Sequence, residues 1–188
     1  MKIKELREKF AKDPTWERTD LENLNLSGLD LREFTFCDVS LVGTNFSGAN
    51  LEEVDFSGSV LTKTNFKNAN LKGANLECVF AEKTVFKDVS LERARLCHAE
   101  FLLSCLEGVD FRKTDVRGTY FDNSNIKNAN FNGLNLKNAS FEGADLEGTV
   151  FRKADLSGVD FSGANVEGVD FSGANVEGAH LWGVSLEE

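Results

Sequence analysis

The sequence predicts an all-β solenoid built of short turns, and three observations predict it. An apolar residue recurs every five positions from Leu21 to Leu186, giving 34 centres with no residue inserted or lost. Leu fills 16 of these centres, Phe 13 and Val three, with Ile126 and Ala81 completing the set. All 16 glycines stand two residues after a centre, and Asn23, Asn68, Asn123, Asn128 and Asn138 share that slot. Two residues before each centre comes Ala, Ser, Thr or Val, except at Leu24, Leu29, Phe34 and Leu134. Asp or Asn fills 20 of the 34 positions immediately before a centre. A helix needs recurrence near 3.6 residues and a strand near 2, so a strict period of five matches neither. It matches a short extended piece followed by a corner, where Gly or Asn reaches positive φ at little steric cost. Units repeated in this way stack into a solenoid.

Segments such as Ala49-Asn50-Leu51, Ala144-Asp145-Leu146-Glu147-Gly148 and Val159-Asp160-Phe161-Ser162-Gly163 resemble the pentapeptide repeat family, whose pattern is small, Asp or Asn, Leu or Phe, polar, Gly. The resemblance covers residues 19 to 188. It implies a right-handed, four-sided parallel β-helix with one pentapeptide per side and four per coil. The 34 repeats then make 8.5 coils, and at ~4.8 Å per coil the tube is about 40 Å long. Residues 20 apart stack. Phe36 and Phe56 share one side, with Phe46, Phe66 and Phe86 opposite. Further along, Phe101, Phe121, Phe141 and Phe161 form one column and Phe111, Phe131, Phe151 and Phe171 the facing one. Ala81 stands where a Leu column becomes a Phe column, so a void is expected beside it unless Phe80 folds inward.

Residues 1–18 are expected to cap a single domain whose body is the repeat, 19–188. Ile3, Leu6 and Phe10 recur at helical spacing and Asp13-Pro14 ends the run, which predicts an amphipathic helix over 2–12. Its apolar stripe, with Trp16, would cover the first coil; a partner-binding or membrane-surface helix is the alternative. At the other end the repeat runs to Leu186. An uncovered last coil exposes strand edges, so a homodimer through the carboxyl-terminal coil is expected.

The net charge of -10 is unevenly spread. Residues 1–18 hold six bases and four acids, whereas residues 139–188 hold ten acids and two bases. Direct nucleic-acid binding is disfavoured, because phosphate contact needs Lys and Arg. No apolar run approaches the ~20 residues of a membrane span, and the first 18 residues are too charged for a secretory signal, which predicts a cytoplasmic protein. Every glycine belongs to the repeat rather than to a phosphate loop, and His98 and His180 sit in no recognisable catalytic arrangement. The reading is therefore of a protein that is not an enzyme and uses no cofactor or metal. Cys37, Cys78, Cys97 and Cys105 take outward positions. Cys78 and Cys97 are diagonal neighbours on adjacent coils, where geometry permits a disulfide, and His98 stacks over Cys78 without a fourth group to complete a metal site.

Departures from the repeat mark two candidate surfaces. On the side centred at 61, 81, 101 and 121, outward positions carry Val60, Phe80, Leu102, Leu103 and Tyr120, with Val42, His180 and Trp182 toward the ends. Either this is a partner-binding apolar patch, or Phe80 turns inward and the others are scattered surface residues. On the side centred at 106, 126, 146, 166 and 186 stand Glu107, Lys127, Glu147, Glu167 and Glu187, with Asp145 beside Glu147. Stacked like charges cost stability. The function expected is a non-enzymatic scaffold that presents a rigid side to a protein partner. The family resemblance implies an alternative, a DNA mimic, because some members present an acidic rod to DNA gyrase or topoisomerase IV and alter quinolone sensitivity. On the plain alternative these acids only keep the solenoid soluble.

Overall fold

The computed structural model describes residues 4–6, 8 and 21–184. The unit from Asn65 to Ala69 shows why five residues suffice. The Asn65 N–H donates to the Thr44 carbonyl at 3.0 Å on the preceding coil, while Phe66 and Asn68 donate to Val85 and Lys87 at 2.8 and 3.0 Å on the next. Ala69 closes the corner onto the Phe66 carbonyl at 2.8 Å. The remaining donor, the Lys67 N–H, is taken by the Asn65 side-chain carbonyl at 3.0 Å. All five backbone donors of the unit are thus satisfied, and an Asp or Asn before the centre is there to hold the turn.

Parallel bridges link residues 20 apart, such as Asn45 with Asn65 and Asn65 with Val85, so four units close one coil. We number the faces by their centres: face 1 runs through Leu21 and Leu41, face 2 through Leu26 and Phe46, face 3 through Leu31 and Leu51, face 4 through Phe36 and Phe56. Residues 21–184 make just over eight coils. Residues 4–6 and 8 are helical and Leu6 is fully buried in the core. Ile3, Phe10, Trp16 and Leu186 lie outside the described residues. Among the described residues, no helix is long and apolar enough to cross a membrane.

The phenylalanines line the axis in the expected columns. Rings 20 apart stack, as Phe46 on Phe66 with centroids 5.3 Å apart. Rings ten apart, on opposite faces, meet edge to face, as Phe56 with Phe66 at 5.7 Å. Such edge contacts contribute about 0.5–1.5 kcal/mol each beyond the area they bury. The small inward residue before each centre can carry a hydroxyl because the coil below offers a carbonyl. Buried Thr64, Thr84, Thr119 and Thr149 donate to Leu41, Leu61, Leu96 and Ile126 at 2.9, 2.7, 2.8 and 2.8 Å. No buried hydroxyl is thereby left unpaired at these positions, so their burial is not penalised.

Over the coil centred on Ala81, Phe86, Leu91 and Leu96 the phenylalanines change faces, from 2 and 4 to 1 and 3. On face 1 Ala81 makes room beneath Phe101, and both are fully buried. Phe80 does not fold inward. It is 51% exposed, because its N–H to Ser59 (3.0 Å) and its carbonyl from Leu61 (2.7 Å) hold it in the ladder, where the side chain must point out. The interior is spanned instead by the edge contact of Phe86 with Phe101 at 5.2 Å.

Face 3 has no small residue at its changeover, since Leu91 lies directly below Phe111. Phe111 is drawn up against Phe131 at 4.5 Å, whereas the other rings stacked 20 apart are separated by 5.0–5.6 Å. The coils part below it. Among the described residues Ser90 and Asp110 form no bridge, and the bonds that the repeat dictates from Leu91 N–H to Asp110 and from Asp110 N–H to Val89 are missing. The chain rejoins one residue out of step, with the Arg93 N–H on the Lys113 carbonyl. The Thr114 hydroxyl donates to Phe111 at 2.7 Å instead of reaching back to Leu91. A groove of 760 Å³ opens between residues 89–92 and 110–113.

Candidate binding surfaces

Face 1 carries a column of parallel bridges from Val60 through Phe80, Glu100 and Tyr120 to Ser140, which sets their side chains one above another on the outside. Phe80, Leu103 and Tyr120 are exposed and Leu102 is half-buried beside them. Phe80, Leu102 and Leu103 wall a dent of 290 Å³ whose floor is Ala81. The small residue that admits Phe101 inside therefore also lowers the surface outside. Val60 is half-buried one coil below Phe80. Trp182, the most exposed at 87%, lies four coils above Leu102, about 19 Å away at ~4.8 Å per coil. The structure brings Phe80, Leu102, Leu103 and Tyr120 together and leaves Trp182 apart.

Leu103 adds an observation that position in the repeat already signalled. It occupies a corner with φ of +54°, where the other described corners of positive φ carry Gly, Asn, Asp, a charged side chain, His98 or Cys78. A bulky aliphatic residue in this conformation costs roughly 1 kcal/mol, and the side chain, 52% exposed, recovers only part of that by burial.

Acids surround the patch. Glu82 is bound to Lys83 at 2.6 Å, which holds its carboxyl below the ordinary range. Asp122 accepts hydrogen bonds from the Ser140 hydroxyl at 2.5 Å and the Glu142 N–H at 3.1 Å. Among the described residues, Glu100 and Glu142 have no cation within ion-pair distance.

The column on face 2 is less acidic than its sequence suggests. Lys127 stands between Glu107 and Glu147 and bonds Glu147 at 2.6 Å and Asp145 at 3.0 Å. Its ammonium pKa is raised, first by Glu147 and then by Asp145. Partial burial pushes the Asp145 carboxyl up, but Lys127, the Glu147 N–H and Asn165 outweigh it and the net shift is downward. Glu107 lies 3.9 Å from Lys87. The repulsion expected along this column is offset by its lysines, which leaves Glu147 and Glu167 as its exposed acids; Glu187 lies outside the described residues.

All four cysteines are free thiols. Cys78 and Cys97 are joined through the backbone, N–H to carbonyl at 3.1 Å, but the bridge that geometry permits is not made. The Cys97 thiol is pushed up by burial and then by Asp115. Arg117 holds Asp115 down at about 2, against the effect of burial. His98 leans onto the coil above: a Cβ at Gly118 would lie 2.7 Å from its Nδ1. Among the described residues no three His, Cys, Asp or Glu side chains converge as a metal would require.

Solved structures similar to this chain include HetL, a pentapeptide repeat protein involved in heterocyst differentiation regulation in the cyanobacterium Nostoc sp. strain PCC 7120. It is 22% identical over 98% of this chain and 96% of its own, with a TM-score of 0.32. Trypsin-treated QnrB1, a plasmid-mediated fluoroquinolone resistance protein, is 17% identical over 85% and 84%, with a TM-score of 0.40. A pentapeptide repeat protein of the Arabidopsis thaliana thylakoid lumen is 27% identical over 79% and 72%, with a TM-score of 0.22. Comparison with curated proteins gives no match. The family model of pentapeptide repeats matches residues 40–77, 64–102, 104–143 and 135–173. With that match spanning most of the coils, and the five-residue unit closing its own hydrogen bonds from one coil to the next, the chain belongs to the pentapeptide repeat family.

Proposed function

We propose that this protein is a non-enzymatic scaffold that binds a protein partner through face 1, over the coils from Phe80 to Tyr120. The observation that carries the reading is the cluster of exposed Phe80, Leu103 and Tyr120 with half-buried Leu102 beside them, set on a rigid ladder with Leu103 held at an unfavourable corner. A contiguous apolar cluster with a polar rim is what interfaces are made of. The test is site-specific photo-crosslinking from position 102 on face 1 and from position 132 on face 3, in the native cell extract. Adducts formed from 102, absent from 132 and lost in the Phe80→Ser, Tyr120→Ser double variant are expected. Adducts only from 132, or none sensitive to that variant, overturn the reading.

A second reading is kept by one observation, the concentration of ten acids against two bases in residues 139–188. Under it the carboxyl-terminal coils act as a DNA mimic toward a type II topoisomerase. A gyrase supercoiling assay with and without a quinolone decides: an effect abolished by Glu147→Gln with Glu167→Gln supports it, and no effect removes it. For the exposed centres Val176 and Leu181, with Trp182, we infer a second copy of the chain as occupant. Sedimentation that gives a monomer at micromolar concentration overturns that inference.

A further inference from the structure

We infer that the segment bound by face 1 is basic, with one bulky apolar side chain that enters the dent beside Ala81 and flanking Lys or Arg residues that reach Glu100 and Glu142. This rests on the reading of face 1 as the binding face. The dent of 290 Å³ admits a single Leu, Met or Phe side chain between Phe80, Leu102 and Leu103. Glu100 stands in the outward column between Phe80 and Tyr120, so a residue beside the anchor must face it. Glu142 stands two coils above Leu102 and three above Glu82 on the opposite margin, next to Asp122. Neither carboxylate is neutralised from within the described residues, in contrast with Glu82, Glu92, Glu147, Asp110 and Asp115, each of which holds a Lys or Arg. A partner bringing an acid or an uncharged apolar surface would leave two carboxylates desolvated without compensation, whereas Lys or Arg turns the same groups into rim contacts. An anionic bilayer is disfavoured on the same ground.

The probes are three labelled 12-residue peptides of equal apolar content carrying net charges of about +4, 0 and -4, titrated by fluorescence anisotropy at two salt concentrations. The +4 peptide is expected to bind most tightly, to weaken as salt rises, and to lose about tenfold in affinity with Glu100→Gln plus Glu142→Gln. Glu147→Gln plus Glu167→Gln on face 2 is the control for non-specific attraction to an acidic protein, and should change binding less than about twofold. Circular dichroism melts confirm that each variant is folded. If the two face-1 acids and the two face-2 acids matter equally, or if the -4 peptide binds as well, the inference is overturned. If instead the neutral peptide binds best and is displaced by Phe80→Ser with Leu102→Ser, face 1 stands as the binding face and only its basic partner is wrong. Binding by anionic vesicles and by none of the peptides overturns both.

Discussion

From Phe121 to Phe161 the coils are alike: rings stack at 5.0–5.4 Å along each column and meet edge to face across the axis. Between Phe80 and Asp115 the ladder continues but the repeat is broken in several places. The phenylalanines change faces, the pairing of Ser90 with Asp110 is lost, a corner slips by one residue, and an aliphatic side chain occupies a left-handed corner. The difference teaches that a column of identical residues is self-consistent, whereas a change of residue size along a column displaces the backbone. Face 1 absorbs the change with Ala81 and leaves a dent. Face 3 has Leu91 under Phe111 and opens a groove.

The largest test of that contrast compares core truncations. Phe131→Ala, within the regular stack, is expected to cost about 3–5 kcal/mol by urea unfolding. Leu91→Ala should cost nearer 2 kcal/mol, because Phe111 has already lifted away from it. Equal costs would mean that the parted coils are not a packing defect. Hydrogen exchange reads the same defect without mutation: the amides of Leu91 and Asp110 should exchange at least tenfold faster than those of Leu71 and Asn130, which are bonded at 2.9 and 3.0 Å.

Corners give the next comparison. Gly118 and Gly163 both have positive φ, of +65° and +68°, but a Cβ at Gly163 meets nothing within 4 Å, whereas at Gly118 it meets His98. Gly163→Ala should cost about 1 kcal/mol from backbone strain. Gly118→Ala should cost measurably more, and His98→Ala should abolish the excess in a double-mutant cycle.

Acid unfolding tests two depressed carboxyls, Asp115 next to the irregular coil and Asp170 in the regular coils. Arg117 lowers Asp115 to about 2, and Ser172 and then Arg152 lower Asp170 to a similar value. A carboxyl whose folded pKa is depressed contributes stability above its unfolded pKa, near 3.9, and loses it as pH falls toward the folded value. Thermal midpoints should therefore drop between about pH 4 and pH 2, and Asp115→Asn should flatten that limb. An unchanged acid limb in the variant would show that the Arg117 pair adds nothing. Smallest is Leu103→Asn, expected to stabilise the fold by about 0.5 kcal/mol through relief of the corner while weakening partner binding. A gain in stability with no loss of binding would separate Leu103 from the interface.

Much of this was legible in the chain. The five-residue period reads directly as a coil, because Gly, Asn and the preceding Asx each mark a fixed place in the turn. Phe columns follow by counting 20, and the patch at Phe80, Leu102, Leu103 and Tyr120 follows from apolar residues in polar slots. The orientation of Phe80 did not follow, since it depends on both ladder bonds being kept. Nor did the pairing of Lys127 with Glu147 and Asp145, which takes a rotamer choice. The groove on face 3 has its signal in the chain too, namely Leu91 giving way to Phe111 with no alanine between them.

By itself the sequence determined the coil, its register and which side chains point inward, because the regular unit satisfies its backbone donors within itself and its two neighbouring coils. Only the tertiary structure decided where the mismatch between the two ring stacks is taken up. That outcome is a balance between Phe111 pressing on Leu91 and Phe111 stacking on Phe131, residues 20 apart on either side, and the closer 4.5 Å stack prevailed.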